Sequence, residues 1–305
     1  MQEFADRIVA ELEKGIKPWV RPWEPDKCAG PQAPLNPTTD QHYHGVNVLI
    51  LSMHPLALMT ADPRWMTYQQ AAEKKWQVKK GEKSTSIFFT KKYSVDDDQA
   101  EDGKKAVRFL KHYSVFHSSQ IEGVPRYEAP SFVQAPWTKP EAAATILANS
   151  GARMLTGGDR AFYSPAADMI QLPPENAFHG PSYWAAVALH ELGHWTGHEK
   201  RLGRDLTGAK GSILYAKEEL RAELASAFLS GELGIPSDIQ NHASYIGNWL
   251  SFLKDDKREI FRAAADAQKI VNMVLRFHPD YVAEPEPTYI PRAISPSPAA
   301  LQPVP

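Results

Sequence analysis

The sequence predicts an α+β protein of two domains, a small α+β unit followed by a mainly helical domain with a short sheet. Three observations carry this prediction. The chain has 305 residues, room for two domains at about 100–200 residues each. Its β-rich runs crowd the first half, and its long helical patterns crowd the second. Between them Pro125, Pro130, Pro136 and Pro140 punctuate a stretch without periodicity, which puts the boundary around 127–138. The expected division is 1–127, 138–280, and a Pro-rich tail, 281–305, whose composition predicts disorder.

The first half opens with a stripe of Phe4, Ile8 and Leu12, spaced for one face of a helix that Gly15 can end. A Pro-rich stretch containing Trp19 and Trp23 follows. The apolar run 45–53 fits helix or strand, whereas 67–75 reads as helix with Thr67 as N-cap. Two β-rich runs, WQVKK and TSIFFTKKY, are joined by a Lys-Gly turn. An acidic segment, 94–105, reads as an exposed loop before β character returns at 107–117.

The second half opens with a helix over 139–150, ended by Asn149-Ser150-Gly151. Strands follow at AFYS (161–164) and MIQL (169–172), arranged as a hairpin. Residues 182–196 read as a helix capped by Ser182, and helices are expected at 213–230, 238–253 and 256–275.

Apolar residues make up 43% of the chain and charged residues 23%, enough to build a core. Cys28 is the one cysteine, so no internal disulfide forms. The N-terminus lacks a signal-peptide pattern, and no stretch reaches the roughly 20 apolar residues of a membrane span. The expectation is a soluble, cytoplasmic protein with no membrane partner.

The sharpest motif is His190-Glu191-Leu192-Gly193-His194, inside a predicted helix. Spacing i, i+4 puts both imidazoles on one face, where both can point a nitrogen at a single Zn²⁺. Glu191 lies beside that point, where a carboxylate can act as catalytic base. A catalytic zinc needs a third protein ligand. The third-histidine pattern fails, because Gly197 is in place but position 200 is Lys. His198, eight residues after His190, is expected behind the ligands or against substrate. The glutamate scheme draws on the following helix, with Glu219 as ligand, Glu223 receiving the N–H of a ligand histidine, and Glu218 as an exposed neighbour. Mn²⁺ is an alternative ion. Tyr163, Tyr215, Tyr245 and His198 are all candidates to stabilise an oxyanion.

The order His190–His194, then Glu219 in E-x-x-A-E, resembles the zincins whose third ligand is glutamate. That resemblance implies an edge strand above the metal that binds extended peptide, matched by AFYS or MIQL. The longer strings HELGHWTGHEKRL and YAKEEL resemble the metallopeptidase domain found with the antirestriction protein ArdC. In the first half YHGVNVLIL, RWMTYQQA, QVKKGEKSTSIFF and VRFLKHYSVFHSSQIEG resemble the N-terminal ArdC domain. This implies an antirestriction protein of a mobile element that binds single-stranded DNA.

The residues support part of that independently. Residues 1–139 carry 19 Lys+Arg against 17 Asp+Glu, so binding must rest on local patches, and 64–92 holds eight basic side chains against two acidic. Sequence-tolerant binding combines such cations with aromatic faces. The candidate contacts are Trp19, Arg21, Trp23, Tyr43, Arg64, Lys79, Lys80 and Lys83, with Trp19 and Trp23 expected to be exposed. Two rival expectations stand beside this one. In the first, the chain is a DNA-associated zinc protease whose substrate is a protein, such as a restriction-system component. In the second, it is a non-catalytic DNA-binding protein with a structural metal.

Overall fold

The computed structural model describes residues 2–19, 33–60, 62–96, 104–128, 139–234 and 245–281. Arg21, Trp23, Cys28 and the tail beyond 281 therefore lie outside the described residues.

Helix α1 (Gln2–Glu13) buries Phe4, Ile8 and Leu12 as their spacing predicts, and Gly15 turns the chain at φ +77°. A small hairpin, β1 (Leu35–Asn36) and β2 (Gln41–His42), leads into α2 (Val46–Ser52). The ambiguous apolar run is thus helical, with Leu49, Ile50 and Leu51 buried. After α3 (Pro55–Thr60) and β3 (Trp65–Thr67) comes α4 (Tyr68–Glu73). Thr67 caps α4 reciprocally with Gln70.

The two β-rich runs do not pair with each other. Strand β4 (Gln77–Val78) pairs with β7 (Ile121–Glu122), while β5 (Thr85–Asp96) pairs with β6 (Lys104–His117). The register of that long hairpin runs from Thr85↔Val115 to Asp96↔Lys104, so strand reaches into both ends of the expected acidic loop. Backbone pairing there satisfies amide groups that would otherwise need water. The sheet order is β3-β6-β5.

The second half begins with α5 (Lys139–Asn149). Its sheet has the order β8-β10-β9, with β8 (Arg153–Thr156) parallel to β10 (Met169–Leu172) and β9 (Phe162–Ser164) antiparallel. The expected hairpin is β9–β10, turned at Asp168 with φ +45°, and β9 is one of the two edge strands. Four helices complete the chain, α6 (Pro181–Trp195), α7 (Ile213–Leu233), α8 (Ile246–Asp255) and α9 (Glu259–Leu275). Ser182 does not cap α6; Pro181 occupies the first turn behind Gly180, a position where a missing N–H costs no hydrogen bond. No described helix is long and apolar enough to cross a membrane.

One apolar core spans both halves. It joins Phe4, Ile8, Leu12 and Trp19 to Trp249, Phe252 and Ile260. Trp19 lies 5.7 Å from Trp249, whose indole N–H donates to the Ala216 carbonyl of α7. Between the halves, the Gly45 amide donates to Gln268 of α9, and Lys17 pairs with Glu223 of α7. Helix α6 runs through the centre of the second half, with every residue from Ala188 to Trp195 buried.

Candidate metal centre

Helices α6 and α7 bring His190, His194 and Glu219 together, with one ligand atom from each inside 4.8 Å of the others. The two Nε2 atoms are 3.2 Å apart, and Glu219 oxygens lie 3.9 Å from His190 Nε2 and 3.7 Å from His194 Nε2. Tetrahedral zinc with bonds of about 2.0–2.1 Å sets its donors roughly 3.3 Å apart. The residues fit such an ion.

The hydrogen bonds behind the imidazoles strengthen the fit. His194 Nδ1 lies 3.1 Å from the Glu218 carboxylate, which can only accept when ionised, so the proton sits on Nδ1. His190 Nδ1 lies 3.2 Å from Ser226 Oγ, whose own proton goes to the Ala222 carbonyl, so Ser226 accepts as well. Both Nε2 atoms then present lone pairs toward one point beside a carboxylate, an arrangement that a cation satisfies. Burial pulls the His194 imidazole down, yet Glu219, Glu218 and Glu191 together raise it to about 9, a measure of the negative charge collected there. Burial pushes the Glu218 carboxyl up, but His194 and Arg204 outweigh it and hold the group below its ordinary value.

These placements correct two expectations. Glu218 is buried rather than exposed, and it, not Glu223, receives the N–H of His194. Glu223 instead accepts from Lys17 at 2.8 Å. His198 lies beyond the end of α6, its Nδ1 accepting from the Lys200 amide. The position of Glu218 had a signal, since it falls on the stripe of Ala222, Ala225 and Leu229, the face that α7 buries. Arg204 and Ser226, which hold Glu218 and His190, had none in the local pattern.

A cavity of about 1250 Å³ opens over the site, lined by His190, Glu191, His194 and Glu219 below and by Phe162 and Tyr163 of edge strand β9. Tyr215 and Tyr245 also face it, with their hydroxyls 3.4 Å apart. Burial first, then the Glu219 carboxylate, pushes the Tyr215 phenol above the ordinary tyrosine range, so it stays protonated. Tyr163 is engaged elsewhere, donating to Asp168, which Arg201 also holds.

The expected DNA contacts fare unevenly. Trp19 is 7% exposed and packed on Trp249, which corrects its expected role as an open base platform. Tyr43 is buried too, donating to the Trp65 carbonyl. The Arg64 guanidinium forks onto Asp62 and also reaches the Pro125 carbonyl, so its charge is already matched. Lys79 donates to the Ser119 carbonyl but remains exposed, and Lys80 and Lys83 are exposed beside it. Arg21 and Trp23 fall outside the described residues. Tyr68, 55% exposed, is an aromatic face on the same half.

Paired helices carrying two histidines, a neighbouring glutamate and a second glutamate facing them beneath an edge strand define a zincin-like metallopeptidase fold. Residues 141–266 match the zincin-like metallopeptidase family, and residues 1–116 match the N-terminal domain of anti-restriction factor ArdC. The metal-free crystal structure of the antirestriction ArdC protein from plasmid R388 superposes with a TM-score of 0.74 at 34% identity, covering 91% of this chain and 97% of that one. Its Mn(II)-bound form gives 0.73 at 33% identity, covering 92% and 98%. An uncharacterized Sinorhizobium fredii protein, y4eC, is 35% identical over 89% of this chain and 90% of its own length. Two Escherichia coli proteins named DNA primase TraC are 44% and 42% identical over 93% and 92% of this chain. The chain spans only 28% and 20% of those primases. The chain belongs to the ArdC-like antirestriction family, with an ArdC N-terminal domain followed by a zincin-like domain.

Proposed function

We propose that this chain is an antirestriction protein that binds single-stranded DNA of a mobile element in the cytoplasm and carries a zinc peptidase centre. The observation that carries the enzymatic part is the pair of Nε2 lone pairs, converging with Glu219 next to Glu191. Zinc held by His190, His194 and Glu219 would supply Lewis acidity toward a water and a peptide carbonyl; Mn²⁺ suits the same donors less selectively. Glu191 takes the proton of the attacking water and passes it to the leaving amine. Tyr215 steadies Glu219, and Tyr245, whose hydroxyl donates to Tyr215, turns that proton to the developing oxyanion when substrate is bound. The free edge of β9 pairs with an extended peptide and lays it across the cavity.

The DNA part rests on family membership and on the exposed cations that flank β4, Lys74 and Lys75 before it and Lys80 and Lys83 after it. Lysines that follow a phosphate backbone without reading bases suit sequence-tolerant binding. A second reading, in which proteolysis of a protein on DNA gives the protection, is favoured by the open cavity over an intact Glu191.

The two readings separate in a transfer assay of unmodified DNA into a restricting host. Under the coating reading, Glu191→Ala keeps metal, DNA binding and protection, while Lys80→Ala with Lys83→Ala keeps metal but loses DNA and protection. Loss of protection by Glu191→Ala with DNA binding intact would establish proteolysis instead.

A further inference from the structure

Arg204 sits in the loop between α6 and α7 with its side chain 9% exposed, and four of its contacts converge on the metal helices. Nε and Nη2 fork onto the two oxygens of Glu218 at 2.9 and 2.7 Å. Nη2 also donates to the Gly193 carbonyl at 2.8 Å, and Nη1 to Thr196 Oγ1 at 2.9 Å. Gly193 is the residue between Leu192 and His194, so one guanidinium grips the backbone of the ligand helix and the carboxylate that holds His194. We propose that Arg204 is a positioning residue of the metal centre, locking Glu218 in the pose that fixes the His194 tautomer and aim. The proposal rests on His190, His194 and Glu219 being metal ligands.

The surrounding sequence is arranged around that side chain. Thr196 donates to the same Gly193 carbonyl at 2.6 Å, and the Arg204 amide donates to the Gly197 carbonyl at 2.8 Å. A Cβ on Gly197 would lie 2.8 Å from Arg204 Nη2, so only glycine leaves room for the guanidinium. Gly197 stands where a third-histidine zincin needs glycine, yet here its work is to admit Arg204. A cation at the C-terminal turn of α6 also meets carbonyls with no partner inside the helix. Lysine could replace the charge but not the planar fork that spans both Glu218 oxygens. Without the fork, the Glu218 carboxylate can rotate off Nδ1, and His194 can present the wrong nitrogen.

The test is zinc titration by calorimetry of the full-length, metal-stripped protein, with nitrogen-15 NMR of the histidine rings. Arg204→Gln should bind zinc about 10–100-fold more weakly than wild type, the usual cost of losing a partner behind a ligand. Arg204→Lys should recover part of that loss. In zinc-bound wild type the His194 ring should coordinate through Nε2 and carry its proton on Nδ1, and in zinc-bound Arg204→Gln it should populate both arrangements. Glu218→Gln, which leaves Arg204 its contacts to Gly193 and Thr196, should weaken zinc similarly, and combining it with Arg204→Gln should add little. Zinc affinity within twofold of wild type in Arg204→Gln, or reduced thermal stability with unchanged affinity and tautomer, would overturn the role. Failure of wild type to bind zinc would sink the metal reading itself, a different result from a wild type that binds and a variant that matches it.

Discussion

Replacing Lys17 by Met should destabilise the whole chain far more than its place near the end of α1 suggests. Lys17 Nζ lies 2.8 Å from Glu223 Oε1, and the side chains are 12% and 1% exposed. Removing the ammonium leaves a carboxylate buried inside α7, a loss of about 3–5 kcal/mol for a broken buried pair. Removing both charges, as Lys17→Met with Glu223→Leu, leaves no uncompensated charge of this pair behind and should return most of that stability. The structure contains its own control. Lys254 and Glu13 join the same two halves at 2.6 Å, but with side chains 53% and 50% exposed. Breaking that pair should cost no more than about 1 kcal/mol, because water already solvates both ends. Urea denaturation followed by tryptophan fluorescence and by far-ultraviolet circular dichroism measures all three. A Lys17→Met cost no larger than that of Lys254→Met would refute the argument that this contact staples the halves together. Separate transitions for the two probes in wild type would likewise refute a shared core.

Elemental analysis after zinc reconstitution should give about one metal per chain in wild type, and Glu219→Ala should lose it; full occupancy in that variant would move the third ligand elsewhere. Asp62 should make stability fall in acid. Burial raises its carboxyl, but hydrogen bonds from Arg64 and Ser118 outweigh this and hold it below its unfolded value of 3.8. Its contribution is therefore fully present above about pH 4 and lost as pH falls through the lower folded value. Asp62→Asn should flatten the acid limb of a stability–pH curve, and an unchanged limb would count against this account. Gly197→Ala should cost about 1–3 kcal/mol in thermal unfolding, since the new Cβ also lies 3.0 Å from the His194 carbonyl, which cannot move aside.

What the sequence alone determined is what depends on neighbours along the chain. A helix brings residues four apart together by its own geometry, so His190 and His194 were readable as one face, with Glu191 beside them, before any packing was known. The same holds for the Thr67 cap, the α1 stripe and the β9–β10 hairpin. Tertiary structure decided everything that turns on how one element is rotated against another. Glu218, Glu219 and Glu223 lie within two turns of α7, and only its docking against α6 sends Glu219 toward the Nε2 atoms, Glu218 to Nδ1 and Glu223 to Lys17. Strand β4 pairs with β7, a partner more than forty residues away and beyond any local pattern. Trp19 looked like an open base platform in a proline-rich stretch, yet it lies buried against Trp249. Burial of an aromatic ring is worth more than its exposure whenever another element supplies an apolar face, and that face, more than two hundred residues further on, is visible only once the chain has folded.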